Sequence, residues 1–162
     1  MPGDAAAALE IRLARSADLN RMLEAWLALT RYHARFERLF ELRPGAEAEV
    51  RELLRAQLRD PDAAAWLVLD EPQLVGYAAA RVDRAPAIHP EQMRAEITDL
   101  WVPEGWRRRG VGCELAARAF EWARERGAER IEVRVSPRNL PGQGFWAAQG
   151  FGDFMDVLQR PL

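Results

Sequence analysis

The chain holds 162 residues, 49% apolar and 30% charged, with a formal net charge of −2 at pH 7. That length fits one domain, residues 1–162, around a single core; the composition excludes a disordered chain, and the near-neutral charge excludes a bulk nucleic-acid binder. Cys113 is the one cysteine, which excludes an internal disulfide and a cysteine zinc site. No window approaches a membrane span and "MPGDAAAALE" lacks a basic leader, so a soluble, unprocessed, cytoplasmic protein without a metal is expected.

In chain order, "LEIRLAR" alternates with Ile11 and Leu13 on one face and predicts a first strand, after which Ser16 or Asp18 offers a helix N-cap. Leu19, Met22, Leu23, Trp26, Leu27 and Thr30 then recur at helical spacing. "FELRPG" interrupts the pattern, and a second helix from about Ala46 carries Val50, Leu53, Leu54 and Leu58 on one side until "RDPDA" ends it. "AWLVLD" and "LVGYAAARV", joined by "EPQ", predict a hairpin, because apolar β-formers flank a proline-containing breaker. "RAPAIHPEQM" reads as a loop placed to lie over a site, followed by a strand, "RAEITDLWV".

Beyond it, Val111, Leu115, Ala119, Phe120 and Trp122 or Ala123 form the buried side of a helix stopped by Gly127. "RIEVRV" predicts a strand, "SPRNLPGQGFWAAQGF" a short helix closed by Gly150, and "DFMDVLQRPL" a terminal strand. The order describes an α/β fold with a mostly antiparallel front and one strand-helix-strand crossover in its second half.

The loop that opens this crossover, "WRRRGVG", is the chemically distinctive stretch. The first N–H groups of a helix lack intrahelical partners, and the helix dipole adds positive potential there. Gly110 and Gly112 let a ligand approach the backbone, and Arg107, Arg108 and Arg109 raise the local potential, so a phosphate, and better a pyrophosphate, suits the site. An exposed basic turn whose glycines only fit tight geometry reads equally well from this pattern alone. The spacing is neither a Walker A loop nor a Rossmann fingerprint. In the preceding strand the apolar positions are Ile97, Leu100 and Val102, a slip in the two-residue alternation that a β-bulge or a strand buried on both faces produces.

What the loop does match is R-x-x-G-x-G, Arg107 to Gly112, the pyrophosphate loop of the GNAT superfamily of N-acetyltransferases. The chain resembles that family over nearly its whole length: "EIRLARSADLNRMLEAW" is similar to its first strand and helix, "VGYAAARV" to its third strand, "EITDLWV" to its fourth and "NLPGQGFWAAQGF" to its closing helix. The resemblance implies a mixed, mostly antiparallel central sheet with flanking helices, whose fourth and fifth strands splay to admit the pantetheine arm of acetyl-CoA. It also favours the bulge. By resemblance, the backbone of Leu100, Trp101 and Val102 pairs with pantetheine, and an amide there polarises the thioester carbonyl. The amides of Arg108, Arg109, Gly110, Val111, Gly112 and Cys113 hold the pyrophosphate. Asn139 contacts the pantetheine region or, read locally, caps the following helix, while Phe145 and Trp146 pack along the cofactor.

An amine acceptor must lose a proton before attack, and Glu96 and Asp99 on the fourth strand are the candidate bases; each also reads as a surface or salt-bridged acid. His33 and His89 are reserves. Trp146 stands where the family often has a tyrosine that protonates the leaving thiolate, and an indole N–H is no useful acid. Cys113 at the helix N-terminus permits an acyl relay, less favoured than direct transfer.

The family commonly closes with two strands after "GF", and the remaining residues suffice for one, so the acceptor pocket is expected to be more open on that side or completed by a second subunit, a homodimer. The expected activity is acetyl-CoA-dependent N-acetyl transfer to a primary amine, on a small molecule or peptide, by direct attack in a ternary complex. A non-catalytic acyl-CoA-binding or sensing module and a purely structural interaction domain are the other readings. The segments "LTRYHARFERLFELRPG" and "RAPAIHPEQM" are the expected specificity elements.

Overall fold

A computed structural model describes residues 9–160 and 162 of the chain; the alanine-rich start lies outside the described residues. The order of elements is β1 (Glu10–Leu13), α1 (Leu19–Ala34), α2 (Glu47–Arg59), β2 (Ala63–Asp70), β3 (Gln73–Arg84), β4 (Met93–Trp101), α3 (Val111–Glu125), β5 (Arg130–Val133) and α4 (Leu140–Ala148). The strands form one sheet in the order β1-β2-β3-β4-β5, antiparallel throughout except for the parallel β4–β5 pair that α3 connects.

β2 and β3 are apolar on both sides because helices cover both faces of the sheet. Leu67, Leu69, Tyr77 and Ala79 face α1 and α2, where they meet Met22, Leu23, Val50 and Leu54. Trp66, Val68, Val75, Ala78 and Ala80 face α3 and α4, where they meet Val111, Leu115, Ala119 and Trp146. Gly76 sets the depth of α3: a Cβ there would lie 2.7 Å from Val111 Cγ1, so only glycine admits the first turn of the helix this close to β3.

Four expectations are corrected. Leu13 is 55% exposed, since β1 is a four-residue edge strand that ends at Leu13 and only Ile11 reaches the core. Leu53 is also exposed, because α2 buries the narrow line Val50–Leu54 and leaves Leu53 to one side. "DFMDVLQR" forms no strand among the described residues, and Phe154, Met155, Val157 and Leu158 are exposed. Each face of that segment mixes apolar and polar residues, so nothing fixes a register. The loop at residues 85–92 joins the ends of β3 and β4 far from Trp101 and is fastened to Glu129 through the Gln92 amide; it does not lie over the site described below.

Candidate active site

The sequence slip in β4 is a bulge. Asp99 stands opposite Ala79 and Ile97 opposite Ala80, so Thr98 is the extra residue. The bulge bends the strand where its pairing with β5 ends: Arg94–Ile97 lie beside Arg130–Val133, and β4 then continues to Trp101 while β5 stops. Residues 98–101 therefore carry a row of backbone groups with no strand on the β5 side among the described residues. Unpaired strand edges of this kind accept an extended ligand as an additional strand.

The N-terminus of α3 lies beyond this edge. Gly110 is its N-cap in the left-handed region at φ 84°, and Arg108 adopts a left-handed φ of 61°, a conformation that costs a non-glycine residue energy and tightens the turn. The amide of Glu114 bonds the Gly110 carbonyl at 3.0 Å, which leaves the amides of Val111, Gly112 and Cys113 as the unpaired first turn. The Val111 side chain is core, so this residue contributes only its backbone. Gly112 faces the ring of Phe145, to which a Cβ would come within 3.2 Å. These features fit a diphosphate-bearing donor: free amides, a helix dipole and an approach that any side chain at Gly112 would narrow. Arg108 and Arg109 are exposed, the latter stacked on Trp106. Cys113 is exposed and accepts a contact from Gln149 Nε2 at 3.4 Å.

The bulge also decides where the carboxylates point. Because Glu96 opposes Arg81 and Asp99 opposes Ala79, two residues apart on β3, both side chains share the α1 face. Their surroundings differ. Glu96 is held by Arg81 Nη2 at 2.8 Å and by Arg134 Nε at 3.3 Å. Asp99 has no cation against it among the described residues; burial, with a smaller repulsion from Glu96, pushes its carboxyl up to about 6, while the 2.8 Å hydrogen bond from the Thr98 hydroxyl acts the other way. Below it the Tyr77 hydroxyl is buried without a hydrogen-bond partner among the described residues, and burial beside Asp99 raises this phenol well above its ordinary value. Leu100 and Val102 point to the opposite face, into the α3–α4 core.

Asn139 caps α4, accepting from the Gly142 amide at 3.1 Å, and the Tyr32 hydroxyl donates to the same oxygen at 3.4 Å. Trp146 is buried with Phe145 and Phe151 against its ring, so it serves the core and exposes almost nothing to a ligand. Arg107 turns toward α1: its Nε donates to the Val102 carbonyl at 3.0 Å, and its guanidinium lies 5.1 Å from the ring centres of both Tyr32 and Trp101. His33 is half-buried beside Phe40, where burial lowers its pKa, and His89 is exposed in the distant loop.

Tyr32 lies in the segment expected to set specificity, though none of the expectations from sequence gives it a role of its own. It touches Trp101 on β4 and Asn139 at the start of α4, and so spans the gap from the α1 side. Its signal lay in a second helical stripe along α1 and its C-cap, Ala28, Tyr32 and Arg35, distinct from the core-facing one.

The site is thus a five-stranded sheet opened between a bulged fourth strand and the fifth, with a glycine-lined helix N-terminus beside the opening. The model of the acetyltransferase (GNAT) family matches residues 19–151, and the chain belongs to that family. Among solved structures it is similar to a tetramutant of the BH1408 protein from Bacillus halodurans (19% identity, TM-score 0.82, 94% of this chain and 99% of the other). It is similar also to a predicted acetyltransferase from Clostridium acetobutylicum with acetyl-CoA (17%, 0.75, 94% and 96%). A third is the aminoglycoside N-acetyltransferase AAC(6')-Iy in complex with CoA (20%, 0.73, 95% and 94%). No curated protein matches the chain in sequence. Among the described residues no helix is long and apolar enough to cross a membrane, and no group of acidic, histidine or cysteine side chains is arranged to hold a metal.

Proposed function

We propose that this chain is an N-acetyltransferase that moves an acetyl group from acetyl-CoA to a primary amine by direct attack, with both substrates bound together. The observation that carries the reading is the bulge at Thr98, which frees the β4 edge and turns Asp99 to the face opposite the α3 N-terminus. Acetyl-CoA supplies the activated acyl group as a thioester. The first-turn amides of Val111, Gly112 and Cys113 would hold its diphosphate, with Arg108 and Arg109 adding potential, and the edge from Leu100 to Val102 would pair with its extended arm. A preorganised N–H on that edge would meet the charge that develops on the carbonyl oxygen.

Asp99 is the base in this reading. With its carboxyl at about 6 it is mostly ionised at neutral pH, yet far more basic than a solvated carboxylate, which suits it to take a proton from the incoming amine. Glu96 is held in ion pairs and serves to position the strand and raise Asp99. Trp146 offers no acid. The aminoglycoside N-acetyltransferase among the structural neighbours supports a small molecule as acceptor, by size and not by charge.

The test is to incubate the protein with acetyl-CoA and a panel of amines while following free thiol. Acceptor-dependent thiol release is expected; CoA binding without it would assign the chain to the acyl-CoA-binding modules instead.

A further inference from the structure

We infer that the acceptor is an amine that itself carries a carboxylate, bound by Arg31 of α1 and Arg35, the residue that caps its C-terminus, in the cleft beside Trp101. This inference rests on the acetyltransferase reading and names the substrate class of the same site. The cleft, about 330 Å³, has Arg31, Tyr32, Arg35, Trp101, Glu104 and Arg107 in its walls. It lies on the α1 side of the unpaired end of β4, the face to which the bulge turns Asp99, and Tyr32 links it to Asn139 across the gap.

The charge in this cleft is one-sided. Three guanidinium groups face one carboxylate, Glu104, and none of the three forms an ion pair among the described residues. Arg31 and Arg35 are four residues apart on one helix face, a like-charge pair that opposes helix formation in the absence of an anion. The C-terminal end of α1 favours one cation through its dipole, but that does not explain a third converging from the β4–α3 loop.

The walls hold these groups in place. The Arg35 guanidinium stacks on Tyr32 at 5.0 Å and Arg107 on Tyr32 and Trp101 at 5.1 Å; Arg107 spends its Nε–H on the Val102 carbonyl, and the Nη groups of both are left for a planar anion. A polycationic amine meets repulsion here, whereas an amine with a carboxylate places its anion on the arginines, on the same face of the sheet as Asp99.

Arg107 belongs to the loop expected to hold the donor, so the test uses Arg31→Ala/Arg35→Ala, both exposed side chains. Amino acids and dipeptides would be compared with their C-terminal amides, and with spermidine, in the thiol assay. The acids are expected to exceed the amides about tenfold in kcat/KM, mainly through KM, as one charge-assisted hydrogen-bonded contact implies. In the double variant that ratio should fall to near one with the Kd for CoA unchanged. Equal use of acid and amide, a preference for spermidine, or an acid preference that survives in the double variant would overturn the inference. So would a loss of CoA affinity matching the loss of acceptor use, which would give these arginines to the phosphates of the donor. Calorimetric titration of the same pairs into the CoA-loaded protein reads the preference without turnover: acids binding tighter than amides support the inference, and equal binding refutes it. Absence of thiol release alone counts against the transferase reading.

Discussion

Replacing Asp99 with asparagine should slow the enzyme and stabilise the fold at once. The carboxyl sits at about 6 instead of 3.8 because burial disfavours its charge, a difference worth about 3 kcal/mol against the ionised form at neutral pH. The asparagine would remove that charge while still accepting the Thr98 hydroxyl through its amide oxygen, so a net gain of about 1–2 kcal/mol at pH 7 is expected after some loss of hydrogen-bond strength. The native state holds the Asp99 proton more tightly than the unfolded chain does. Its contribution to stability is therefore fully present below about 4, is lost as pH rises through about 6, and is level beyond. In the asparagine variant this decline should vanish.

Activity moves the other way. Loss of a positioned base typically costs 10²–10⁴-fold, so kcat should fall by at least about a hundredfold. The acid limb of kcat/KM in the parent protein should bend near pH 6, where Asp99 takes up its proton, and flatten in the variant. Urea unfolding at pH 4 and pH 7, paired with thiol release from pH 5 to 9, measures both effects. An Asp99→Asn protein that is less stable than the parent at pH 7 and retains its rate would refute both the burial argument and the role of base.

Glu96→Gln should reduce the rate at least tenfold less than Asp99→Asn and lower stability by about 1 kcal/mol, as read by urea unfolding, since it breaks the contacts to Arg81 and Arg134. Gly112→Val places a branched Cβ within 3.2 Å of Phe145, at the residue whose own amide belongs to the free first turn. Calorimetry should detect no CoA binding, while circular dichroism stays native and stability falls by about 1–3 kcal/mol from overpacking. Asn139→Ala removes the α4 cap and the partner of Tyr32, with an expected loss of about 1 kcal/mol in unfolding free energy.

The elements that packing decides were legible in the sequence because their period survives folding. Val111, Leu115, Ala119 and Ala123 mark α3 as its sequence predicts, and the slip from Ile97 to Leu100 and Val102 is the bulge itself, each of those side chains meeting the same core. The glycines of the α3 turn were legible for a related reason: a left-handed N-cap and a close aromatic ring exclude most side chains. What sequence could not rank were residues whose role depends on what lies across the sheet. Glu96 and Asp99 look alike three positions apart; only the partners on β3 and the arginines around Glu96 separate a paired acid from a proton-holding one. Tyr32 and Arg107 likewise acquire meaning from their shared contact with Trp101, which no local pattern announces. The tail failed as a strand because mixed faces specify no register.

A single inserted residue should therefore be separable from the fold it bends. Deleting Thr98 leaves Ile97 opposite Ala80 and Asp99 opposite Ala79, so every side chain of β4 keeps its face and the core contacts of Ile97, Leu100 and Val102 persist. What disappears is the local excess of backbone that bends the strand away from β5. The straightened strand is expected to continue its parallel pairing past Val133 and consume the free edge at residues 99–101. The deletion should thus remain folded, with a two-state unfolding transition within about 2 kcal/mol of the parent, yet lose affinity for CoA at least tenfold by calorimetry. Thr98→Ala, which keeps the bulge and removes only the hydroxyl bond to Asp99, should bind CoA as the parent does and shift the acid limb of kcat/KM upward, because the contact that lowers the Asp99 pKa is gone. A deletion that folds and binds CoA at full strength would show that the splay is set by the loops at Pro103 and Val135 and not by the bulge.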